Sequence, residues 1–343
     1  MVSQKQGQRL VYRGGANLYL TNMCNGRCPY CCVKEWVTDS PQAAQYMSLR
    51  DLDKTIKWLK ESEIGFVQLI GGEPMLHPDI IKIVKKLKSQ GIFIRTILSN
   101  GLGDPEIYRK ILKLIDTIWL VNVNHPSTYT KEEWKKLNQN LELLSWKGED
   151  KLIKDEPFDL HSLSLQLAIN FYKQNLDYGY IIDLAKKYRC SHIRYAPSHP
   201  SSGETNVHIP FEELEKLKPN LMSFIEDSVS AGVKPGLECV LPPCIFTTSE
   251  WRYLVLFTEA IKTICQPDLE VFPDLSVNTC VSMMGLLPSY KVGEMSAQDM
   301  IKRFLLDTKS YRECVPSYCE ECELFKKKDC QGYCLKIKTK YCK

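Results

Sequence analysis

Three cysteines near the start of the chain have the spacing of ligands that wrap around one compact metal centre. Cys24, Cys28 and Cys31 follow a short apolar run, so a strand ending near Thr21 would place their thiols on the loop behind it. Three thiolates fill three of the four irons of a cubane iron–sulfur cluster and leave the fourth iron open for chemistry. A closed structural site uses four protein ligands, and the adjacent Cys32 does not obviously complete the set. The spacing also fits a zinc site or a redox-active thiol pair.

A second group of residues suited to ligand binding follows the next predicted strand. Gly71, Gly72, Glu73 and Pro74 combine glycines, which let a backbone come close to a ligand, with a carboxylate that can receive an ammonium group. Polar side chains that could hydrogen-bond or pair with a ligand also stand at the ends of later strands, namely Ser99, Asn100, Asn122 and Arg194. Each has a plainer explanation, because such residues are also common in turns or at solvated positions.

The elements that would position these residues alternate regularly. Apolar segments predict strands at 66–70, 92–98, 117–123, 163–169 and 192–196, with a polar loop at 148–157. Helical periodicity predicts helices at 49–62, 77–90, 105–114, 129–145, 178–188 and 211–231. This alternation indicates a parallel α/β sheet with covering helices, whose active site lies at the carboxyl ends of the strands. The pattern does not separate a barrel from a doubly wound sheet.

Composition sets the remaining limits. The 343 residues are 44% hydrophobic and 25% charged, as in ordinary globular proteins, and the net charge of +4 gives no reason to expect a nucleic-acid partner. No apolar run reaches the length of a signal peptide or a membrane span, so we expect a cytoplasmic protein without membrane contact. The 15 cysteines fall into dense groups, with none between 33 and 189. Metal binding explains that distribution better than random burial of thiols.

Taken together, these motifs resemble those of the radical S-adenosylmethionine enzymes. The resemblance rests on Cys24, Cys28 and Cys31, on Tyr30 just before the third cysteine, and on Gly71 to Pro74 one strand–helix unit later. It implies a site-differentiated [4Fe–4S] cluster on the three cysteines and S-adenosylmethionine held by the Gly71–Pro74 stretch. It also implies that Tyr30 packs against the adenine, and that Ser99, Asn100, Asn122 and Arg194 bind other cofactor groups. The implied fold is a partial (β/α)6 barrel over 16–232, after an N-terminal extension at 1–15.

The cysteine-rich segment 233–343 resembles the SPASM extension of that family, which binds auxiliary iron–sulfur clusters. Carried over position by position, the resemblance implies one [4Fe–4S] cluster on Cys319, Cys322, Cys330 and Cys342, and another on Cys265, Cys280 and Cys334. The fourth ligand of the second cluster is either Cys244 or Cys239. The remaining alternative is that the fourth iron has no protein ligand and binds substrate. Leu275 stands where the family has glycine, and the spacing from Cys322 to Cys330 is longer than usual. A single zinc on Cys319, Cys322, Cys330 and Cys334 is the alternative.

The resemblance also implies an activity: reductive cleavage of S-adenosylmethionine to a 5′-deoxyadenosyl radical that abstracts hydrogen from a substrate. We expect the substrate to be a ribosomally made peptide or protein. Because the barrel begins near Ala16, we expect no separate leader-binding domain, and dehydrogenation of a small polyol or aminocyclitol is the second hypothesis. A non-catalytic zinc-binding interaction module is the third. The lysine-rich tail suggests docking of an acidic electron donor of the flavodoxin or ferredoxin type.

Overall fold

In the computed structural model, which describes residues 14–145 and 165–341, strands and helices alternate as predicted. Strands of the first part are β1 (Ala16–Tyr19), β2 (Phe66–Ile70), β3 (Phe93–Ser99), β4 (Ile118–Asn122), β5 (Leu165–Phe171) and β6 (His192–Pro197). Helices of the first part are α1 (Leu49–Glu61), α2 (Ile80–Ser89), α3 (Pro105–Leu112), α4 (Lys131–Leu144), α5 (Gly179–Lys187) and α6 (Leu214–Ser230). The predicted loop at 148–157 lies outside the described residues.

The elements after residue 232 are shorter and less regular. Strands there are β7 (Lys234–Leu237), β8 (Leu269–Val271), β9 (Ser276–Asn278) and β10 (Tyr290–Lys291). Helices there are α7 (Thr248–Phe257), α8 (Ala297–Asp307), α9 (Lys309–Glu313), α10 (Glu323–Lys326) and α11 (Leu335–Lys338). All four strands belong to the same ten-stranded sheet as the first six. Within the described residues, no helix is long and apolar enough to cross a membrane.

The order of the strands decides between the two predicted alternatives, a barrel and a doubly wound sheet. Strands β1 to β6 are neighbours in sequence order, and each neighbouring pair is parallel. A doubly wound sheet reverses its strand order at a switch point, and β1 to β6 show no such reversal. The other edge of β1 pairs with β8 rather than β6, so the barrel is open. The predicted partial barrel of six strand–helix units is therefore confirmed.

The two faces of the barrel strands differ in polarity. The face toward the helices is apolar and fully buried; it carries Leu18, Leu69, Ile97, Val121, Leu167 and Ile193. Burial of each such side chain contributes about 1.5–3 kcal/mol relative to exposure. Strand residues alternate between faces, so their neighbours point the other way. These inner positions carry Asn17, Gln68, Asn122, Asn170 and Arg194, and the barrel lumen is consequently polar.

Helix starts follow local chemistry, and three of them lie two or three residues after the predicted start, namely those of α2, α4 and α6. Ser48 caps α1, as predicted, because its side chain accepts a hydrogen bond from the Asp51 backbone N–H. Helix α2 starts at Ile80 rather than at the predicted His77. The imidazole of His77 contacts the Met47 carbonyl at 3.0 Å and accepts from the Asp79 N–H at 3.0 Å. These contacts hold the residues before Ile80 in a loop.

Candidate active site

The cysteine loop starts where β1 ends and is fixed by backbone hydrogen bonds from β2. The Gly72 N–H donates to the Thr21 carbonyl at 2.7 Å, and the Glu73 N–H donates to the Met23 carbonyl at 2.8 Å. On the other side, the Cys24 N–H donates to the Thr38 carbonyl at 2.9 Å. The loop is thus held at the carboxyl ends of the strands, where the sequence placed it.

Gly26 lies within the cysteine loop and leaves a small open space between the thiols of Cys24 and Cys28, which we call the cradle. A β-carbon at this position would lie 3.4 Å from Cys24 Sγ and 3.9 Å from Cys28 Sγ. Both sulfurs therefore border the same small space, which any larger residue would begin to fill. The charges of Cys28 and Cys31 also act on Cys24, so the third thiol belongs to the same neighbourhood. The three predicted cluster ligands are brought together.

Amide side chains surround these thiols. Asn124 Nδ2 donates to Cys28 Sγ at 3.3 Å, and Asn122 Nδ2 lies 3.9 Å from the same sulfur. Asn100 Nδ2 lies 4.0 Å from Cys24 Sγ. Asn124 did not enter the predicted ligand set, although the alternating asparagines at 122 and 124 mark it in the sequence. Donors around a sulfur favour its charged form and influence the potential of a bound iron–sulfur cluster.

Burial shifts the protonation of these three thiols. It raises the pKa of Cys24 to about 12 and that of Cys31 to about 11, and it raises the pKa of Cys28 as well. Such thiols are neutral at pH 7 and bind metal only when they release their protons. Three buried thiols beside one cradle therefore fit a cationic centre that offsets their negative charge.

The two glycines after β2 have a different role from the expected one. Gly71 has a φ of +147°, and a β-carbon there would lie 2.6 Å from the Thr21 carbonyl oxygen. A β-carbon at Gly72 would lie 2.4 Å from the Met23 carbonyl oxygen. The glycines thus let the end of β2 lie against the cysteine loop. The expected role was close approach to a ligand, whereas here the glycines approach the backbone of the cysteine loop.

Glu73 also departs from expectation. Its carboxylate is fully buried and accepts hydrogen bonds from the Ser99 hydroxyl at 2.9 Å and from the Asn100 N–H at 2.6 Å. The Met75 N–H donates to it as well, at 3.1 Å, and Pro74 begins the short turn that follows. In this geometry the carboxylate joins the ends of β2 and β3, so it does not face a ligand's ammonium group. Burial raises the pKa of Glu73 to about 7.

Tyr30 and Arg194 are both engaged with the protein itself. The Tyr30 hydroxyl donates to Asn124 Oδ1 and accepts from Asn122 Nδ2, and its ring lies 5.2 Å from that of Tyr172. Tyr30 therefore orients the two asparagines that face Cys28. Arg194 pairs with the carboxylate of Glu238, 2.6 Å away, whereas the resemblance implies a cofactor group as its partner. The β6–β7 register that brings them together was not readable from sequence.

The later cysteines separate into two groups. Cys265, Cys280 and Cys334 lie close enough for their charges to interact. Cys319, Cys322 and Cys330 form the other group, as the SPASM resemblance implies, and the Gly332 N–H donates to Cys330 Sγ at 3.4 Å. Cys244 was one of the candidates for the fourth ligand beside Cys265, but its charge interacts with Cys330 and Cys322. Cys342 lies outside the described residues, and Cys314 is disulfide-bonded.

Both groups offer thiolates, which are ligands for iron–sulfur clusters and for zinc alike. Within residues 14–145 and 165–341, no three His, Cys, Asp or Glu side chains converge as the ligands of one metal ion do. A cubane offers a separate iron to each thiolate, so its ligands surround a volume rather than a point. The alternative of one zinc on Cys319, Cys322, Cys330 and Cys334 fits poorly, since Cys334 interacts with Cys265 and Cys280.

Residues 18–143 match the family model described as the Radical SAM superfamily. A curated relative in Bos taurus, Molybdenum cofactor biosynthesis protein 1, is 34% identical over 95 residues, which are 27% of this chain and 15% of that protein. GTP 3',8-cyclase of Peptoclostridium acidaminophilum is 32% identical over 108 residues, or 31% of each protein. This chain therefore spans less than a third of these relatives.

Two solved structures share the fold along most of the chain. Streptococcus suis SuiB bound to its precursor peptide SuiA superposes with a TM-score of 0.64 and 15% identity, over 95% of this chain and 72% of that one. The anSMEcpe structure with bound AdoMet gives a TM-score of 0.63 and 14% identity, over 93% of this chain and 88% of that one. At such low identity the likeness establishes the fold alone.

Proposed function

This chain contains a domain of the radical SAM superfamily, and we propose on that premise that it cleaves S-adenosylmethionine reductively and modifies a peptide. The observation that carries the chemistry is the cradle at Gly26, bordered by the thiols of Cys24 and Cys28 with Cys31 beside them. When bound there, a [4Fe–4S] cluster and S-adenosylmethionine supply a 5′-deoxyadenosyl radical that takes a hydrogen atom from the substrate.

The chain's own residues hold and shield this chemistry. Cys24, Cys28 and Cys31 provide three thiolates and leave one coordination position for the cofactor. Asn122 and Asn124 donate toward the Cys28 sulfur, and Tyr30 keeps both amides in place. The polar lumen beneath the loop provides hydrogen-bonding groups for a substrate, and the surrounding strands and helices limit access of water to the reacting atoms.

The peptide is the favoured substrate because of what lies beyond the barrel. Members of this family that carry SPASM-like extensions include enzymes that modify ribosomal peptides, and this chain has two cysteine groups in that region. The fold shared with peptide-bound SuiB over nearly the whole chain supports the same choice. The relatives named GTP 3',8-cyclase match over 24% to 57% of the chain, and they make a nucleotide substrate the second candidate.

A cationic surface beside the second cysteine group supports docking of an acidic electron donor. A cavity of about 530 Å³ borders Cys319 and Cys330. Its wall carries Lys309, Arg312, Lys326 and Lys328 against two glutamates. Complementary charge of this kind speeds encounter with an acidic flavodoxin or ferredoxin and makes it sensitive to salt. An electron delivered here would reach the barrel through the auxiliary cysteine region.

Replacement of Cys28 tests the assignment of the loop. Cys28→Ala should abolish formation of 5′-deoxyadenosine from S-adenosylmethionine under dithionite, because two thiolates do not hold a site-differentiated cubane. Cys190→Ala is the matched control, since Cys190 is a buried thiol outside all three groups. A Cys28→Ala protein that still makes 5′-deoxyadenosine would refute the assignment.

The substrate class has its own experiment. Short peptides encoded next to the gene, deuterated at their side chains, are incubated one at a time with the reconstituted enzyme. Deuterium in 5′-deoxyadenosine together with a mass change of one peptide supports peptide modification. Deuterium transferred only from a labelled nucleotide, or only from a labelled cyclitol, contradicts it and identifies the substrate class instead.

A further inference from the structure

We propose that Cys239 is the fourth ligand of an auxiliary iron–sulfur cluster held by Cys265, Cys280 and Cys334. This inference rests on the proposed function, since it assumes that the region after the barrel binds auxiliary clusters. Cys239 comes from a different part of the chain than the other three ligands and stands directly after β7. With Cys239 as a ligand, each of the four irons has a protein thiolate, so no iron is open to substrate.

Backbone contacts on both sides fix the position of Cys239. The Glu238 N–H donates to the Tyr195 carbonyl at 3.0 Å, continuing the pairing of β7 with β6. Two residues after Cys239, the Leu241 N–H donates to the Lys262 carbonyl at 2.9 Å. Cys239 therefore lies between the barrel edge and the segment that leads into Cys265.

The same segment connects to the turn before Cys334. The Gln331 N–H donates to the Thr263 carbonyl at 3.1 Å. The Gln331 side chain accepts from the Cys265 N–H at 2.8 Å, and its amide donates to Cys265 Sγ at 3.1 Å and to the Tyr333 carbonyl at 2.8 Å. One glutamine thus ties Cys265 to the residue preceding Cys334.

Cys280 reaches the group from the β8–β9 hairpin. The Asp268 N–H lies 3.4 Å from the Thr279 carbonyl, which holds the segments of Cys265 and Cys280 side by side. Helix α11, whose first turn follows Cys334, packs against the turn Val281–Met283 just after Cys280. Contacts from three separate segments therefore converge on one region.

The thiols of this region lie within range of one another's charge. Cys239 lies close enough to Cys265, Cys334 and Cys32 for their charges to interact. Cys334 in turn feels the charges of Cys265 and Cys280. Cys239 keeps some accessible surface although protein surrounds it, and the same holds for Cys32.

Cys32 is the rival ligand. It directly follows Cys31, and its charge interacts with Cys280 and Glu270. Its chain position ties it to the catalytic loop, however, whereas Cys239 follows β7 and lies close enough to Cys265 and Cys334 for their charges to interact. Cys32 and Cys239 also interact with each other. The two cysteines therefore make different predictions under substitution.

The experiment compares wild type with Cys239→Ser, Cys32→Ser and Cys190→Ser after anaerobic reconstitution. Wild type should hold roughly eight to twelve irons per chain, and Cys239→Ser should lose about one iron on mild oxidation and show the electron paramagnetic resonance of a three-iron cluster. Cys32→Ser and Cys190→Ser should match wild type. A three-iron signal from Cys32→Ser in place of Cys239→Ser overturns the assignment.

Alkylation of wild type gives a second measurement that does not depend on folding of a variant. Iodoacetamide followed by peptide mass spectrometry should label Cys239 in the iron-free protein and spare it after reconstitution, while Cys32 is labelled in both. Labelling of Cys239 in reconstituted protein overturns the inference alone. A wild-type content near four irons overturns the auxiliary clusters as well, so the two failures are distinguishable.

Discussion

At the scale of the residue, Gly26 leaves open the space between the thiols of Cys24 and Cys28. We expect Gly26→Ala to lower iron incorporation at this loop and to reduce 5′-deoxyadenosine formation about tenfold, or about 1.4 kcal/mol. The added methyl group would enter the space between Cys24 Sγ and Cys28 Sγ. Gly65→Ala is the matched control, because a β-carbon there meets nothing within 4 Å. Equal activity of the two variants would contradict the cradle.

The asparagines beside Cys28 allow a graded prediction. Asn124 Nδ2 lies 3.3 Å from Cys28 Sγ, whereas Asn122 Nδ2 lies 3.9 Å away. Hydrogen bonds to a ligand sulfur stabilise the reduced cluster, so their removal lowers its reduction potential. Asn124→Leu should therefore lower the midpoint potential more than Asn122→Leu does, as measured by redox titration followed by electron paramagnetic resonance. The reverse order would show that the shorter contact has no electronic role.

At the scale of the element, the end of β2 supports the cysteine loop through backbone contact. We expect Gly72→Ala to lower the free energy of unfolding by about 1–3 kcal/mol and to abolish cofactor cleavage, because its methyl group would overlap the Met23 carbonyl oxygen. Chemical denaturation and the 5′-deoxyadenosine assay measure the two effects. Gly65→Ala again provides the control, and wild-type stability of Gly72→Ala would mean that the close approach is unimportant.

Sequence reasoning succeeded where the signal is local and failed where it depends on tertiary contacts. The Cys24–Cys31 spacing and the strand-end asparagines follow from periodicity and chain position, and the structure places them together. The burial of the Glu73 carboxylate depends on hydrogen-bond donors at the end of β3, namely Ser99 and Asn100. These donors lie 26 and 27 residues further along the chain. The Arg194–Glu238 pair depends on the β6–β7 register, and the position of Cys244 depends on folding of the segment after β7.

At the scale of the whole molecule, a buried carboxyl group links stability to pH. Glu270 lies inside the sheet, where burial and the charge of Asp268 raise its pKa to about 8. Asn17 donates to its Oε1 at 3.0 Å, whereas Oε2 has no partner among the described residues. The folded protein therefore holds this proton above the pH at which the unfolded chain releases it. The stabilisation is complete at low pH and is lost as pH rises from about 4.5 to about 8.

Glu270→Gln should remove this part of the pH dependence. We expect the variant to gain stability relative to wild type between pH 5 and pH 8, at about 1.4 kcal/mol per unit of pKa difference as an upper limit. Thermal unfolding at a series of pH values measures the difference. Glu61→Gln, at a side chain that is 64% exposed, should leave the wild-type slope unchanged. Parallel curves for wild type and Glu270→Gln would mean that this group is ionised in the folded protein.

The ends of the sheet limit how a peptide can bind. Beyond β7, the Leu237 N–H donates to the Glu259 carbonyl and the Glu259 N–H donates to the Pro235 carbonyl, both at 2.9 Å, so this border is already occupied. Pro235 has no N–H to offer, and β10 at the far border has two residues. Strand addition, by which many receptors capture extended peptides, thus has little to build on at either border. A substrate peptide would have to be recognised by its side chains, so we expect selectivity for particular residues around the modified position rather than tolerance of any extended chain.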